Sequence, residues 1–230
     1  MILASGDLVF SGIKDVQTKG LISAFDSNKS ITSVSFPDLV NVSGSHGMDS
    51  AFNECFGISS ISFPNLITIS GTSGMEDAFY QCNLSSVEFP KLETVGKYGL
   101  STGFSQNFSL TTASFPNLVS VGKSGLYYCF SSCQDLTSVS FPKLVKVGSD
   151  SLYFSFSYCT SLTSISFPSL GGSDPTTNID IGAFGGAYTF IGCSALTEIH
   201  FPATSKSRIE ACTGYSSKFG ASNATIYFDL

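Results

Sequence analysis

Tryptophan is absent from this 230-residue chain, histidine occurs only twice, and charged residues make up just 12% of it. About a quarter is usual in globular domains, so the surface must be built mostly from uncharged polar groups, and Ser and Thr are abundant enough to supply them. The 11 basic residues are scattered and outnumbered by 17 acidic ones, for a net charge of −6. Neutralising phosphates requires Lys and Arg in clusters, which argues against nucleic acid, or an anionic membrane surface, as a partner. No apolar run approaches the roughly 20 residues that span a bilayer as a helix, so membrane insertion is not expected. Residues 1–7, Met1-Ile2-Leu3-Ala4-Ser5-Gly6-Asp7, lack both a basic stretch and a long apolar core and do not read as a secretory signal.

What the chain does have is a period. Phe-Pro recurs at Phe36-Pro37, Phe63-Pro64, Phe89-Pro90, Phe115-Pro116, Phe141-Pro142, Phe167-Pro168 and Phe201-Pro202, at spacings of 27, 26, 26, 26, 26 and 34. Phe10 and Phe228 extend the series at either end. A second ladder, Phe25, Phe52, Phe79, Phe104, Phe130, Phe156 and Phe190, runs 10 or 11 residues ahead of the first. The two ladders take 16 of the 21 phenylalanines, so they read as stacked core and not as a ligand cage. Between them each unit carries one residue from the series Asn28, Cys55, Cys82, Asn107, Cys133, Cys159 and Cys193.

The alternation Val139-Ser140-Phe141 is that of a strand with one buried face, and the proline that follows removes a backbone donor and ends it. Leu126, Phe130 and Cys133, spaced i, i+4, i+7, predict one face of a short helix or helical turn. The same triple recurs in five other units, and in five of the six a Gly precedes its first member, as a tight turn requires. A lone unit cannot bury both ladders, whereas stacked units with parallel strands about 4.8 Å apart can. The reading is one domain, residues 1–230, of about eight 26-residue units, with an 8-residue insertion within 168–189.

Leu136, Val139 and Phe141 fit the L-x-x-L-x-L pattern of leucine-rich repeats. The unit Ala51-Phe52-Asn53-Glu54-Cys55, continuing through Ile58 and Ile61 to Phe63-Pro64 and then Leu66 and Ile69, resembles the BspA-like leucine-rich repeat. The likeness repeats seven times and covers essentially the whole chain. It departs from that family in ending the strand on Phe and in its longer unit. The resemblance implies a leucine-rich-repeat solenoid with parallel β-strands on one face, short helical turns on the other and a right-handed superhelix. It also implies a bacterial surface protein engaged in adhesion or host contact.

Motifs for chemistry are sparse. His46 falls in a turn and His200 in the outward strand slot that other units fill with Ser or Glu, and neither adjoins a nucleophile motif. The Cys/Asn slot suits side chains that satisfy backbone groups. With no C-x-x-C pair and no Cys/His quartet, no zinc site is expected, and the cysteines are expected as buried thiols. Cys129 and Cys212 lie outside the slot and are the better candidates for a reactive pair. Asp174, Asn178 and Asp180 miss the spacing of a calcium loop. No enzyme activity, metal or cofactor is expected.

The expected strand face is a sheet of hydroxyls, and its candidate binding residues are Glu88, Thr112, Ser114, Ser138, Ser140, Ser164, Ser166, Glu198 and His200. That face reads either as plain solvated surface or as a shallow polar surface for a protein or glycan. Tyr80, Tyr98, Tyr127, Tyr128, Tyr153, Phe154 and Tyr158 mark a second surface suited to interfaces. The leading expectation is a non-enzymatic, extracellular or cell-surface adhesion module. The alternatives are a structural spacer in a surface fibre and a phage or virus attachment protein. Because the first strand lacks its preceding turn and has Ser5 where later units carry Leu or Ile, the chain is expected to begin mid-unit, cut from a longer protein.

Overall fold

A computed structural model describes residues 4–230 as a parallel β-solenoid. Each unit is one coil, and nine strands form the strand face: Gly6–Val9, Ile31–Ser35, Ser60–Ser62, Ser86–Glu88, Thr112–Ser114, Ser138–Ser140, Ser164–Ser166, Glu198–Phe201 and Thr225–Phe228. They are hydrogen-bonded in three groups of three, all parallel. The 26-residue period becomes register, with Val139 opposite Ala113 and Ser140 opposite Ser114. Alternation turns Val139 and Phe141 inward and leaves Ser138 and Ser140 in solvent.

The two phenylalanine ladders are continuous stacks. Along the first, successive rings lie 4.4 Å apart at Phe10–Phe36, 5.5 Å at Phe89–Phe115 and 6.1 Å at Phe141–Phe167. Along the second they run from 5.1 Å at Phe25–Phe52 to 5.9 Å at Phe79–Phe104. Edge-to-face contacts such as Phe115–Phe130, at 6.0 Å and 70°, tie one ladder to the other. Both arrangements are ones that aromatic quadrupoles favour.

A second sheet was not anticipated. Past the proline, two-residue strands at Asp15–Val16, Asn41–Val42, Thr68–Ile69, Thr94–Val95, Ser120–Val121 and Lys146–Val147 pair in parallel, and Ile179 continues them by a bridge to Val147. The second residue of each is buried. The glycines that follow allow close approach instead of supplying a left-handed turn. A Cβ on Gly125 would lie 2.7 Å from Val121 Cγ1, and one on Gly71 would lie 2.0 Å from the Gly44 carbonyl oxygen of the previous coil.

The third side corrects the expectation of helical turns. Leu126, Phe130 and Cys133 are buried, but the chain between them is a run of four-residue turns in which every fourth residue has positive φ: Ser124 at 52°, Tyr128 at 53° and Ser132 at 61°. Alternate amides close the turns, as in Cys129 N–H to the Leu126 carbonyl at 3.1 Å and Ser131 N–H to that of Tyr128 at 3.0 Å. The others reach the next coil, Tyr128 N–H to the Tyr153 carbonyl at 2.9 Å and Phe130 N–H to that of Ser155 at 2.9 Å. A period of four and a period of 3.6 give the same i, i+4 spacing over two turns, and only the coil-to-coil hydrogen bonds distinguish them. Left-handed φ costs a non-glycine residue on the order of 1 kcal/mol. The inter-coil bonds offset that cost by satisfying backbone that would otherwise be orphaned in the stack.

Among the described residues, regular helix is confined to the irregular coils. The insertion turns on Gly171 and Gly172, forms the helix Pro175–Asn178 and rejoins the stack at Ile179. Past Pro202 the chain forms Ala203–Ser205, the helix Lys206–Glu210 and Tyr215–Gly220 before the last strand.

Candidate functional site

Two outward rows of side chains run along the strand face. Register places Thr112 between Ser86 and Ser138, Ser114 between Glu88 and Ser140, Ser164 beside Glu198, and Ser166 beside His200. All nine sequence candidates therefore lie on this face. The hydroxyls of the adjacent row are used by the backbone: Thr111 Oγ1 donates to the Ser85 carbonyl at 3.0 Å and Thr137 Oγ1 to that of Thr111 at 3.1 Å. Among the described residues Ser138, Ser140, Ser164 and Ser166 have no such bond, and all four are exposed.

Between Ser138–Ser140 and Ser164–Ser166, where one hydrogen-bonded group of strands gives way to the next, lies an open depression of about 460 Å³. Thr137, Ser138, Ser140, Ser164, Ser166 and His200 line it. Five of the nine candidates thus share one concavity, while Glu88, Thr112 and Ser114 lie on earlier strands and Glu198 stands beside it. His200 is held in place, its Nδ1 2.9 Å from Asp229 Oδ1, its Nε2 3.5 Å from Glu198 Oε2 and its ring stacked on Tyr227 at 4.8 Å. Partial burial lowers its pKa, but the Asp229 and Glu198 carboxylates outweigh that and raise it above the ordinary value.

The Cys/Asn slot shows why the two residues exchange. Cys55 Sγ donates to the Phe25 carbonyl at 3.0 Å, Cys133 Sγ to that of Phe104 at 3.3 Å, and Asn107 Nδ2 to that of Phe79 at 2.9 Å. Each satisfies the ladder-Phe carbonyl of the coil before. Burial pushes the Cys55 thiol up to about 11 and Cys133 to about 12. The proposed reactivity of Cys129 and Cys212 finds no support: both are free and buried, and burial raises both thiols, Cys212 to about 11. His46 pairs with Asp49 at 2.7 Å. Asp174 is bonded to Thr177 at 2.8 Å, Asn178 to the Gly171 carbonyl at 3.0 Å, and Asp180 to the Gly182 amide at 2.8 Å, so each of the three is engaged within its own loop.

On the turn side, five aromatic rings form one cluster. Tyr127 stacks on Tyr153 at 5.4 Å, and Tyr128, Phe154 and Tyr188 stack in turn at 4.5 and 4.8 Å. Tyr153 covers Gly185, whose added Cβ would lie 1.8 Å from its ring. These rings pack their faces against one another. Burial and the neighbouring phenols raise the pKa of both Tyr128 and Tyr153.

Sequence reading missed a notch on the edge between the turn side and the strand face. Phe79 and Phe89 are 10 residues apart, against 11 in the other coils, so coil 3, counting from the coil that carries Phe25 as coil 1, has Asn83 alone where its neighbours have Phe56-Gly57 and Phe108-Ser109. The missing residue leaves a notch of about 500 Å³ between two half-exposed phenylalanines. The shorter spacing was the available signal.

Fold and surface define a class first: a leucine-rich-repeat solenoid of parallel coils whose distinctive features are its long faces and the recesses between coils. The model of the BspA type leucine rich repeat region matches residues 19–152, 48–184 and 156–219, in 6 copies. The chain belongs to this family. Among solved structures it is similar to a leucine rich cell surface protein from Faecalibacterium prausnitzii A2-165, with 17% identity, a TM-score of 0.41, and coverage of 96% of this chain and 59% of that one. It is also similar to a leucine-rich repeat protein from Bacteroides ovatus, with 17% identity, a TM-score of 0.33, and coverage of 87% and 64%. The chain thus spans less than two thirds of the length of either. No curated protein matches it.

Proposed function

We propose that this chain is a non-enzymatic recognition module of a bacterial surface protein, and that it binds a protein or glycan on the strand face around the Ser138–Ser166 depression. The observation that carries this reading is the set of hydroxyls at Ser138, Ser140, Ser164 and Ser166 without protein partners among the described residues, gathered around one concavity between two groups of strands beside an imidazole held by Asp229. Hydroxyls on a pre-formed surface offer donors and acceptors with little ordering cost. Membership of the BspA-type family supports both the binding reading and the surface placement.

The test presents the wild-type chain and the variant Ser138→Arg/Ser164→Arg to a panel of extracellular host proteins and glycans. Wild type is expected to bind at least one of them and the variant to bind it at least tenfold more weakly. Equal binding by both moves the site off the strand face. Silence from both, with the fold intact, favours a spacer.

A further inference from the structure

We infer that the notch at coil 3 is a binding site for a neutral pyranose sugar, sandwiched between Phe56 and Phe108. This inference names a ligand class for the binding-module reading, but at a place separate from the strand face. The notch exists because coil 3 is one residue short, so the position that holds Lys29 in coil 1, Phe56 in coil 2 and Phe108 in coil 4 has no large side chain in coil 3. Lys29 Nζ sits 5.9 Å from the Phe56 ring centroid on the coil-1 side, so the ring's other face is turned toward the gap. Along the two ladders, rings on successive coils stack 4.4 to 6.1 Å apart. Phe56 and Phe108 stand two coils apart and both line the notch, so a ring entering it would meet a phenylalanine on either side.

The polar groups of the notch fit the hydroxyls of a sugar. Its lining is Phe56, Gln81, Cys82, Asn83, Gln106, Phe108 and Ser109, with no charged group among them. Gln81 Nε2 donates to Gln106 Oε1 at 2.5 Å and to Tyr80 Oη at 3.1 Å, and Gln106 Nε2 donates to Tyr80 Oη at 2.8 Å. This fixes both amides and leaves Gln81 Oε1, the second Gln106 N–H and the whole Asn83 amide without protein partners among the described residues. Paired amide donors and acceptors match vicinal hydroxyls, while aromatic faces match the C–H faces of a pyranose. A volume of about 500 Å³ falls within the usual range for small-ligand sites, roughly 300–1,000 Å³, and has room for one or two sugar rings. The absence of charge in a chain of net −6 disfavours sialylated and sulfated sugars.

The test uses an array of oligosaccharides ending in glucose, galactose, mannose or N-acetylhexosamine, with sialylated and sulfated forms as charged controls. Hits are titrated to millimolar sugar by ligand-observed NMR. At least one neutral sugar is expected to bind, and Phe56→Ala and Phe108→Ala are each expected to weaken it at least tenfold. Both rings are close to half-exposed, at 47% and 48%, so the variants should keep the wild-type circular dichroism. Inserting Phe between Cys82 and Asn83 restores the large side chain at that position and should fill the notch and abolish binding. Binding that both alanine variants retain, binding confined to charged sugars, or no sugar bound at millimolar concentration each overturns the notch assignment. A sugar lost on Ser138→Arg/Ser164→Arg but kept by both Phe variants also overturns it, while leaving the strand-face reading intact.

Discussion

Asn107→Cys looks conservative, because Cys fills the same slot in five other coils. It is expected to be costly here for a reason specific to coil 3. In other coils the residue opening the strand segment bonds back three positions, Ile58 N–H to the Cys55 carbonyl at 3.0 Å and Leu136 N–H to that of Cys133 at 3.1 Å. Coil 3 has only one residue between Cys82 and Leu84, so this turn cannot close, and the Leu84 amide donates to Asn107 Oδ1 at 3.0 Å instead. Leu84 and Asn107 are both fully buried. A thiol can still serve the Phe79 carbonyl but cannot reproduce the amide acceptor, which leaves a buried N–H unsatisfied at a cost of about 1–3 kcal/mol. For a chain of this size that lowers Tm by roughly 2–12 °C. The measurement is denaturant unfolding of four proteins: wild type, Asn107→Cys, wild type with Gly inserted after Asn83, and the combination. The insertion restores the three-residue turn, so Asn107→Cys should cost less than half as much in that background. An equal loss in both backgrounds would refute the link between the missing residue and Asn107.

Phe141→Ala should cost about 3–5 kcal/mol, because it empties a site stacked on Phe115 and Phe167, whereas Ser140→Ala should change stability by less than about 0.5 kcal/mol; an unchanged unfolding midpoint for Phe141→Ala contradicts the ladder. Glu54, at φ 54°, should gain up to about 1 kcal/mol on change to Gly and lose stability on change to Val, and the same melts decide it. The raised pKa of His200 means that folding favours its charged form. That stabilisation is complete below the ordinary value of 6.5 and fades as pH rises through the folded pKa. An NMR titration should show the pKa fall in Asp229→Asn. All seven thiols are free and buried, so a thiol probe at neutral pH should label few of them before denaturation and at least five after it; three disulfides in the mass spectrum would contradict this.

The coil and its core were legible because burial writes a period into the sequence: Phe36 to Phe201 on one ladder and Phe25 to Phe190 on the other leave little freedom in how they stack. The strand face was equally legible, since alternation fixes which of Ser138, Val139 and Ser140 points outward. The turn side was misread because its four-residue repeat imitates a helix in spacing, and left-handed φ at residues as varied as Tyr128, Ser132 and Glu54 has no side-chain signature. The second sheet escaped because two residues, such as Ser120–Val121, are too few to show alternation. The depression and the notch depend on where neighbouring coils fail to match, which the contents of a single repeat do not reveal. Only the shortened interval from Phe79 to Phe89 recorded one of them.

Strand pairing breaks at both proposed surfaces, between Ser60–Ser62 and Ser86–Glu88 and between Ser138–Ser140 and Ser164–Ser166, so both depend on the hydrogen bonds that join coils along the turn side and the second sheet. Amide hydrogen exchange, resolved by residue, tests this directly. Leu126, Tyr128, Phe130 and Ser132 donate to the next coil at 2.7 to 3.0 Å, so their amides should exchange as slowly as that of Phe115, which donates to the Ser140 carbonyl at 3.0 Å on the strand face. Exchange of these four at the rate of an open chain, with protection confined to the strand face, would contradict a turn side locked between coils.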